Sequence, residues 1–220
     1  DTSELKAYLA AQSMGISAVG TGAGKVIHGL TLTDADPEIR QKAVRFIADM
    51  MRFGAQFGAP AIIGSMQGNA GLDRAASLRD LAASLKELGA LAISLEMELI
   101  YEPLNRYETN LFNRLEDAVA FLEAEEIAGV GLLADLFHMN IEEEDLAASI
   151  RKNARWIRHV HFADSNRRPI GFGHTEMNSV AKALQDIGYS GYVSAEAFPW
   201  PDSDAAAAQT IQAFTHYFKK

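Results

Sequence analysis

Six short apolar runs, starting near residues 16, 61, 97, 130, 159 and 191 and alternating with helical segments, predict a parallel α/β barrel. The runs are nearly continuous in apolar residues, as expected of strands covered by helices rather than of a sheet with one wet face. Polar residues close at least four of the runs, at Glu102, Asp135, His161 and Glu196. A barrel brings all its strand ends to one mouth, whereas an open sheet gathers ligands at a single switch point. The predicted architecture is therefore a TIM-type (β/α)8-barrel. About six βα units are present, most of an eight-stranded barrel.

The elements follow in order. Residues 2–14 read as an amphipathic helix, with Asp1 to Glu4 as its cap and Gly15 as its stop. Residues 16–20 are a strand, leading into a glycine-rich exit loop. Asp36-Pro37-Glu38 is a strong helix start, with a capping carboxylate and proline in the first turn. That helix runs to about residue 57. A strand at 61–65 and a helix at 72–94 come next. Strands at 97–104 and 130–137 flank a helix at 113–126. A helix at 142–155 precedes a strand within 156–164. A helix at 178–187, a strand at 192–198 and a helix at 204–218 complete the chain.

At 220 residues and 48% apolar composition the chain is read as one domain, 1–220, with ample material for a core. The net charge of -9 argues against a nucleic-acid surface, which needs clustered Lys and Arg. Cysteine is absent, so disulfides and thiolate metal sites are ruled out. No run reaches the roughly 18–20 apolar residues of a membrane helix, and no leader-like segment opens the chain. The expectation is a cytoplasmic protein with no nucleic-acid or membrane partner.

The four lead residues are 33, 26 and 35 residues apart, close to one strand–helix–strand unit each. Three carboxylates and an imidazole at one sheet end are what a hard or borderline divalent cation requires. Each also has a plainer reading. Glu102 ends a buried strand and could pair with Arg106 or Lys86. His138, close behind Asp135, could be a hydrogen-bonded structural histidine. His159 and His161 share one strand face and could form a polar layer inside the barrel. Glu196 lies in a run of small and apolar residues, where an unpaired carboxylate is strongly unfavourable. Arg167 and Arg168 could clamp an oxygen-rich substrate or decorate the surface.

Two motifs mislead. Gly20-Thr-Gly-Ala-Gly-Lys25 has Val19 and Val26 where a phosphate loop needs glycine and a hydroxyl residue. Glu142-Glu-Glu-Asp145 reads as the acidic first turn of a helix.

Taken as an ordered set, four segments resemble the sugar isomerase/epimerase family with the xylose-isomerase-like barrel. They are Glu102-Pro-Leu-Asn-Arg-Tyr-Glu-Thr-Asn110, Asp135-Leu-Phe-His-Met-Asn140, His159-Val-His-Phe-Ala-Asp-Ser-Asn-Arg167 and Ser194-Ala-Glu-Ala-Phe198. Within that family the chain looks most like the tagatose/psicose 3-epimerases and their sugar-phosphate relatives. The resemblance implies that Glu102, Asp135, His161 and Glu196 hold one divalent metal, Mn2+ by first choice with Co2+ or Mg2+ as substitutes. It implies that Glu108, His138 and Arg167 contact a ketose or sugar phosphate. It also implies that Glu102 and Glu196 act as the catalytic pair, exchanging a proton at carbon 3 through an enediolate. Relatives begin with two further strand–helix units, so the resemblance implies that the first two strands of the barrel are missing here. This chain is then either trimmed or a six-stranded variant whose edges a partner subunit covers, as in a homo-oligomer. Two competing readings are a metal-dependent abasic-site endonuclease, for which His174 would be a second-metal remnant, and a non-catalytic sugar-binding relative. An aldose–ketose isomerase or a polyol dehydratase also stays open.

Overall fold

Helices and strands alternate through residues 2–219, which are described by the computed structural model. The chain divides into two compact units, Asp1–Ile100 with Ile127–Val130, and Tyr101–Glu126 with Gly131–Lys220.

In the first unit, α1 (Ser3–Ala11) follows Thr2, whose side chain makes no capping bond. The expected cap at Asp1 lies outside the described residues. Strand β1 (Val19–Gly20) pairs in parallel with β2 (Ala61–Ile63), Val19 opposite Ala61 and Gly20 opposite Ile62. The glycine-rich stretch between them was expected to be an exit loop. Instead Ala23–His28 forms the short helix α2, closed by Gly29 in the left-handed region at φ 68°. The missing Cβ makes that conformation accessible.

Helix α3 (Pro37–Ala55) starts as the sequence predicts, with the Asp36 side chain accepting from Glu38 N at 2.8 Å. Its buried stripe, Ala43, Val44, Ile47, Ala48 and Met51, recurs at helical spacing and ends at Gly54. A Cβ on Gly54 would collide with the Ala59 carbonyl, so glycine lets the chain turn back closely into β2. A 3-10 turn (Ser65–Gln67) leads on to α4 (Arg74–Ser94), capped by Asp73. Gly89 of α4 lies so close to the Ala128 carbonyl that a methyl group would overlap it.

Strand β3 (Leu99–Tyr101) is fully buried and closes this stretch. The second unit continues with α5 (Leu115–Ala124), β4 (Val130–Asp135), α6 (Leu136–Glu142), α7 (Leu146–Lys152), β5 (Ile157–His161), α8 (Met177–Asp186), β6 (Val193–Ser194) and α9 (Ser203–Phe218). Strands β4, β5 and β6 pair in parallel. The register shifts at Leu132/Leu133, where Leu132 faces Ile157 but Leu133 faces His159, leaving Arg158 as the extra residue. Beyond that shift Asp135 stands directly opposite His161. Helix α8 buries Met177, Val180, Ala181, Ala183 and Leu184 and packs on α7.

Three boundaries differ from expectation for physical reasons. The run 130–137 does not stay extended. It turns helical at Leu136 because the Asp135 carboxylate accepts from Phe137 N and His138 N, capping α6. Glu142 and Glu143 are not a helix start. Glu142 ends α6 and pairs with Arg106, Glu143 accepts from Leu115 N, and Asp145 alone caps α7. Strand β6 stops at Ser194, so Glu196 lies just beyond a strand rather than within one.

Candidate metal centre

Each of the four lead residues lies at or just past a strand end, and all four belong to the second unit. Glu102 follows β3, Asp135 ends β4, His161 ends β5, and Glu196 comes two residues after β6. Their ligand atoms all lie within 4.8 Å of one another. The His161 Nδ1 is the centre of the group, 3.1 Å from Asp135 Oδ2, 3.2 Å from Glu102 Oε1 and 3.3 Å from Glu196 Oε2. Glu102, Asp135 and His161 are buried, at 5%, 1% and 8% exposure. The Glu196 side chain is 53% exposed but bends inward to the same point. Arg106, a suggested partner of Glu102, pairs with Glu142.

Three carboxylates around one nitrogen make the pocket strongly favourable to positive charge. Burial alone would depress the His161 imidazole. Hydrogen bonds to Asp135, Glu102 and Glu196 outweigh it and lift the ring to about 11. Burial raises the Glu102 carboxyl to about 7, against the lowering contact with His161. The hydrogen bond to His161 holds Glu196 below the usual carboxylate range. Three oxygens and one imidazole nitrogen, all acceptors once deprotonated, suit a divalent cation of hard or borderline character. By its donor set and its demand for positive charge, the cluster fits such an ion.

A second layer surrounds the cluster. The His138 Nδ1 receives the Asn105 side-chain amide at 2.8 Å and the Asn105 backbone N–H at 3.3 Å. Because Tyr107 N donates to Asn105 Oδ1, the amide nitrogen of Asn105 is the atom facing the ring. The His138 proton therefore sits on Nε2, which is buried and has no hydrogen-bond partner among the described residues. Burial also lowers the affinity of this ring for a second proton. Glu108 accepts from the same Asn105 amide at 3.0 Å and lies 3.5 Å from Arg167. Arg167 reaches Glu196 at 2.9 Å and stacks over Phe137 at 5.0 Å.

The seven residues that the resemblance assigns to metal and substrate thus fall in one connected group. Arg168 does not join it, its guanidinium lying over Trp200 at 4.0 Å. His159 is buried against Ser194 Oγ at 2.7 Å. Burial and the neighbouring His161 depress its ring to about 4, consistent with a neutral interior residue. His174 is outside the cluster, which is the one such group among the described residues. Sequence reasoning missed Asn105, whose signal is an asparagine able to form an Asx turn with the residue two positions on, Tyr107.

An α/β chain with this cluster at its strand ends matches one family model, the xylose isomerase-like TIM barrel, over residues 1–215. The chain belongs to that family. It is 30% identical over 173 residues to the D-psicose 3-epimerase of Ruminiclostridium cellulolyticum, covering 76% of this chain and 59% of that protein. It is 34% identical over 164 residues to the ketose 3-epimerase of Arthrobacter globiformis, covering 74% and 56% respectively. The chain therefore spans a little over half the length of these relatives. Among solved structures, the D-psicose 3-epimerase of Clostridium cellulolyticum H10 with D-tagatose matches with a TM-score of 0.80 and 26% identity, over 97% of this chain and 82% of that one. Among the described residues no helix is long and apolar enough to cross a membrane.

Proposed function

We propose that the chain carries the catalytic centre of a metal-dependent ketose 3-epimerase. The observation that carries this reading is the convergence of Glu102, Asp135 and Glu196 on His161 Nδ1, within 3.3 Å. The relatives named as psicose and ketose 3-epimerases support it.

The four residues hold one divalent cation, Mn2+ by preference, since the set offers no soft ligand. When bound, the ion supplies Lewis-acid stabilisation of the negative charge that proton loss leaves on the sugar oxygens. The remaining steps belong to the side chains. One of Glu102 and Glu196 removes the proton from carbon 3, and the other returns a proton to the opposite face, which inverts that carbon. His138 donates from Nε2 to an oxygen at the carbon 1 and carbon 2 end, and Glu108 accepts from a hydroxyl there. Arg167 anchors oxygens of the same end while keeping Glu196 in place.

A free ketose suits this site better than a phosphorylated one. Both guanidinium groups are already engaged, Arg167 with Glu196 and Glu108, and Arg168 with Trp200. A phosphate at Arg167 would have to displace a carboxylate, and one at Arg168 would draw that side chain off Trp200.

The test is turnover of a panel of free and phosphorylated ketoses by Mn2+-loaded protein in deuterated water. An epimerase incorporates one deuteron at carbon 3 of free ketoses. Binding of sugar without exchange would instead identify a non-catalytic relative, and exchange at carbon 1 an aldose–ketose isomerase.

A further inference from the structure

Between β5 and α8 the chain makes a loop, residues 164–175, organised around one buried side chain. The Asp164 carboxylate accepts four backbone N–H groups: Ser165 at 2.7 Å and Thr175 at 3.0 Å on Oδ1, Gly171 at 2.8 Å and Gly173 at 2.9 Å on Oδ2. Its own backbone closes a tight turn, with Arg167 N donating to Asp164 O at 2.8 Å and Asp164 N to Arg168 O at 2.8 Å. Inside that turn Arg167 takes φ 58°, a left-handed value that non-glycine residues rarely adopt. The Arg167 carbonyl then receives Phe198 N at 2.6 Å, while its side chain reaches Glu196 at 2.9 Å. One loop residue thus grips the segment carrying Glu196 from both backbone and side chain.

We propose that Asp164 is a positioning residue: by gathering four amides of its loop it sets the backbone of Arg167 so that the guanidinium stays on Glu196. An ionised carboxylate is the one side chain of this size that offers acceptors alone. Asparagine in its place would turn an NH2 toward at least one N–H donor. Burial would raise the Asp164 carboxyl, yet the amides of Thr175, Ser165, Gly171 and Gly173 outweigh it and hold the group below the ordinary carboxylate range. Gly173 bears on the same point, because a Cβ there would collide with Asp164 Oδ1 and Ser165 Oγ. Asp164 lies three residues past His161 and is not among the four converging groups.

The proposal rests on the epimerase reading only for what Arg167 does to a sugar. Its test uses Asp164→Asn and Gly173→Ala, each as Mn2+-loaded protein with D-psicose as the probe, beside crystal structures and amide exchange of both. In the variants the amides of residues 165, 171, 173 and 175 should exchange about tenfold faster, the loss of a buried bond being of that size. Arg167 should part from Glu196. The KM should rise about tenfold, with kcat changed less than KM and the Mn2+ affinity retained. Should Asp164→Asn fail to fold, Gly173→Ala decides alone. An Arg167–Glu196 contact kept at its present distance overturns the proposal. So does a parallel loss of kcat, KM and Mn2+ affinity, which marks a merely structural role. If the unmodified protein turns over neither D-psicose nor any other ketose of the panel, the epimerase reading fails, and the loop geometry and amide exchange still decide whether Asp164 positions Arg167.

Discussion

Asp135 and His161 stand opposite each other in adjacent parallel strands, and their side chains meet at 3.1 Å, Oδ2 to Nδ1. The other oxygen of Asp135 is committed to the first amides of α6, at 2.8 and 3.1 Å. One carboxylate therefore both caps a helix and faces the cluster. Asparagine caps helices about as well as aspartate but supplies no negative charge. Asp135→Asn should leave α6 capped but destabilise the metal-free protein, because the buried His161 imidazolium loses its leading carboxylate partner. Its Mn2+ affinity should fall by more than the roughly 100-fold seen when only an outer partner of a metal ligand is lost. Amide exchange at Phe137 and His138 reads the cap and calorimetric titration reads the charge, and faster exchange at those two amides would mean that the cap is lost as well.

Glu196 is the most exposed of the four and the one held by Arg167. Glu196→Gln keeps the size and a carbonyl oxygen but cannot take a proton. Carbon 3 exchange in deuterated water should drop by at least the roughly 100-fold at the low end of general-base contributions. Full turnover with the metal still bound would remove this residue from the proton-transfer pair.

Asn105 fixes the tautomer of His138 by donating twice to Nδ1. In Asn105→Ala one of those donors is gone and the ring can reverse. The backbone N–H still reaches Nδ1, so the loss is one hydrogen bond of about 1 kcal/mol, and kcat/KM should fall roughly fivefold. Nitrogen-15 spectra of the ring, which distinguish the two tautomers, should show the change directly.

The four strand-end residues were legible because a carboxylate or imidazole closing an apolar run carries a burial cost that needs a reason. Asp135 and His161 show this plainly. What could not be read was where strands stop. Leu136 and Phe137 continue the apolar pattern of β4, yet the chain turns helical because the Asp135 side chain caps it, a bond that periodicity does not register. Likewise Ala195 and Ala197 give no break after Ser194, so Glu196 looked buried in a strand when it lies half-exposed beyond one. The glycines of residues 20–24 suggested a loop where α2 forms. The left-handed Arg167 has no composition signal either, since the amides that hold it come from residues up to Thr175.

Packing offers a test independent of chemistry. Gly→Ala within a helix ordinarily stabilises it by about 1 kcal/mol. At Gly89, in the middle of α4, the added methyl group would overlap the Ala128 carbonyl. Gly89→Ala should therefore destabilise the protein, by about 1–3 kcal/mol as overpacking generally does. A rise in the urea midpoint would show that α4 and the 127–130 segment are less tightly apposed.

The direct measurement is diffraction from Mn2+-soaked crystals at wavelengths on either side of the manganese absorption edge. The account predicts a single anomalous peak per chain, bonded to Glu102, Asp135, His161 Nδ1 and Glu196 together. A peak bonded to none of them, or crystals saturated with Mn2+ that show no peak at this point, would contradict it.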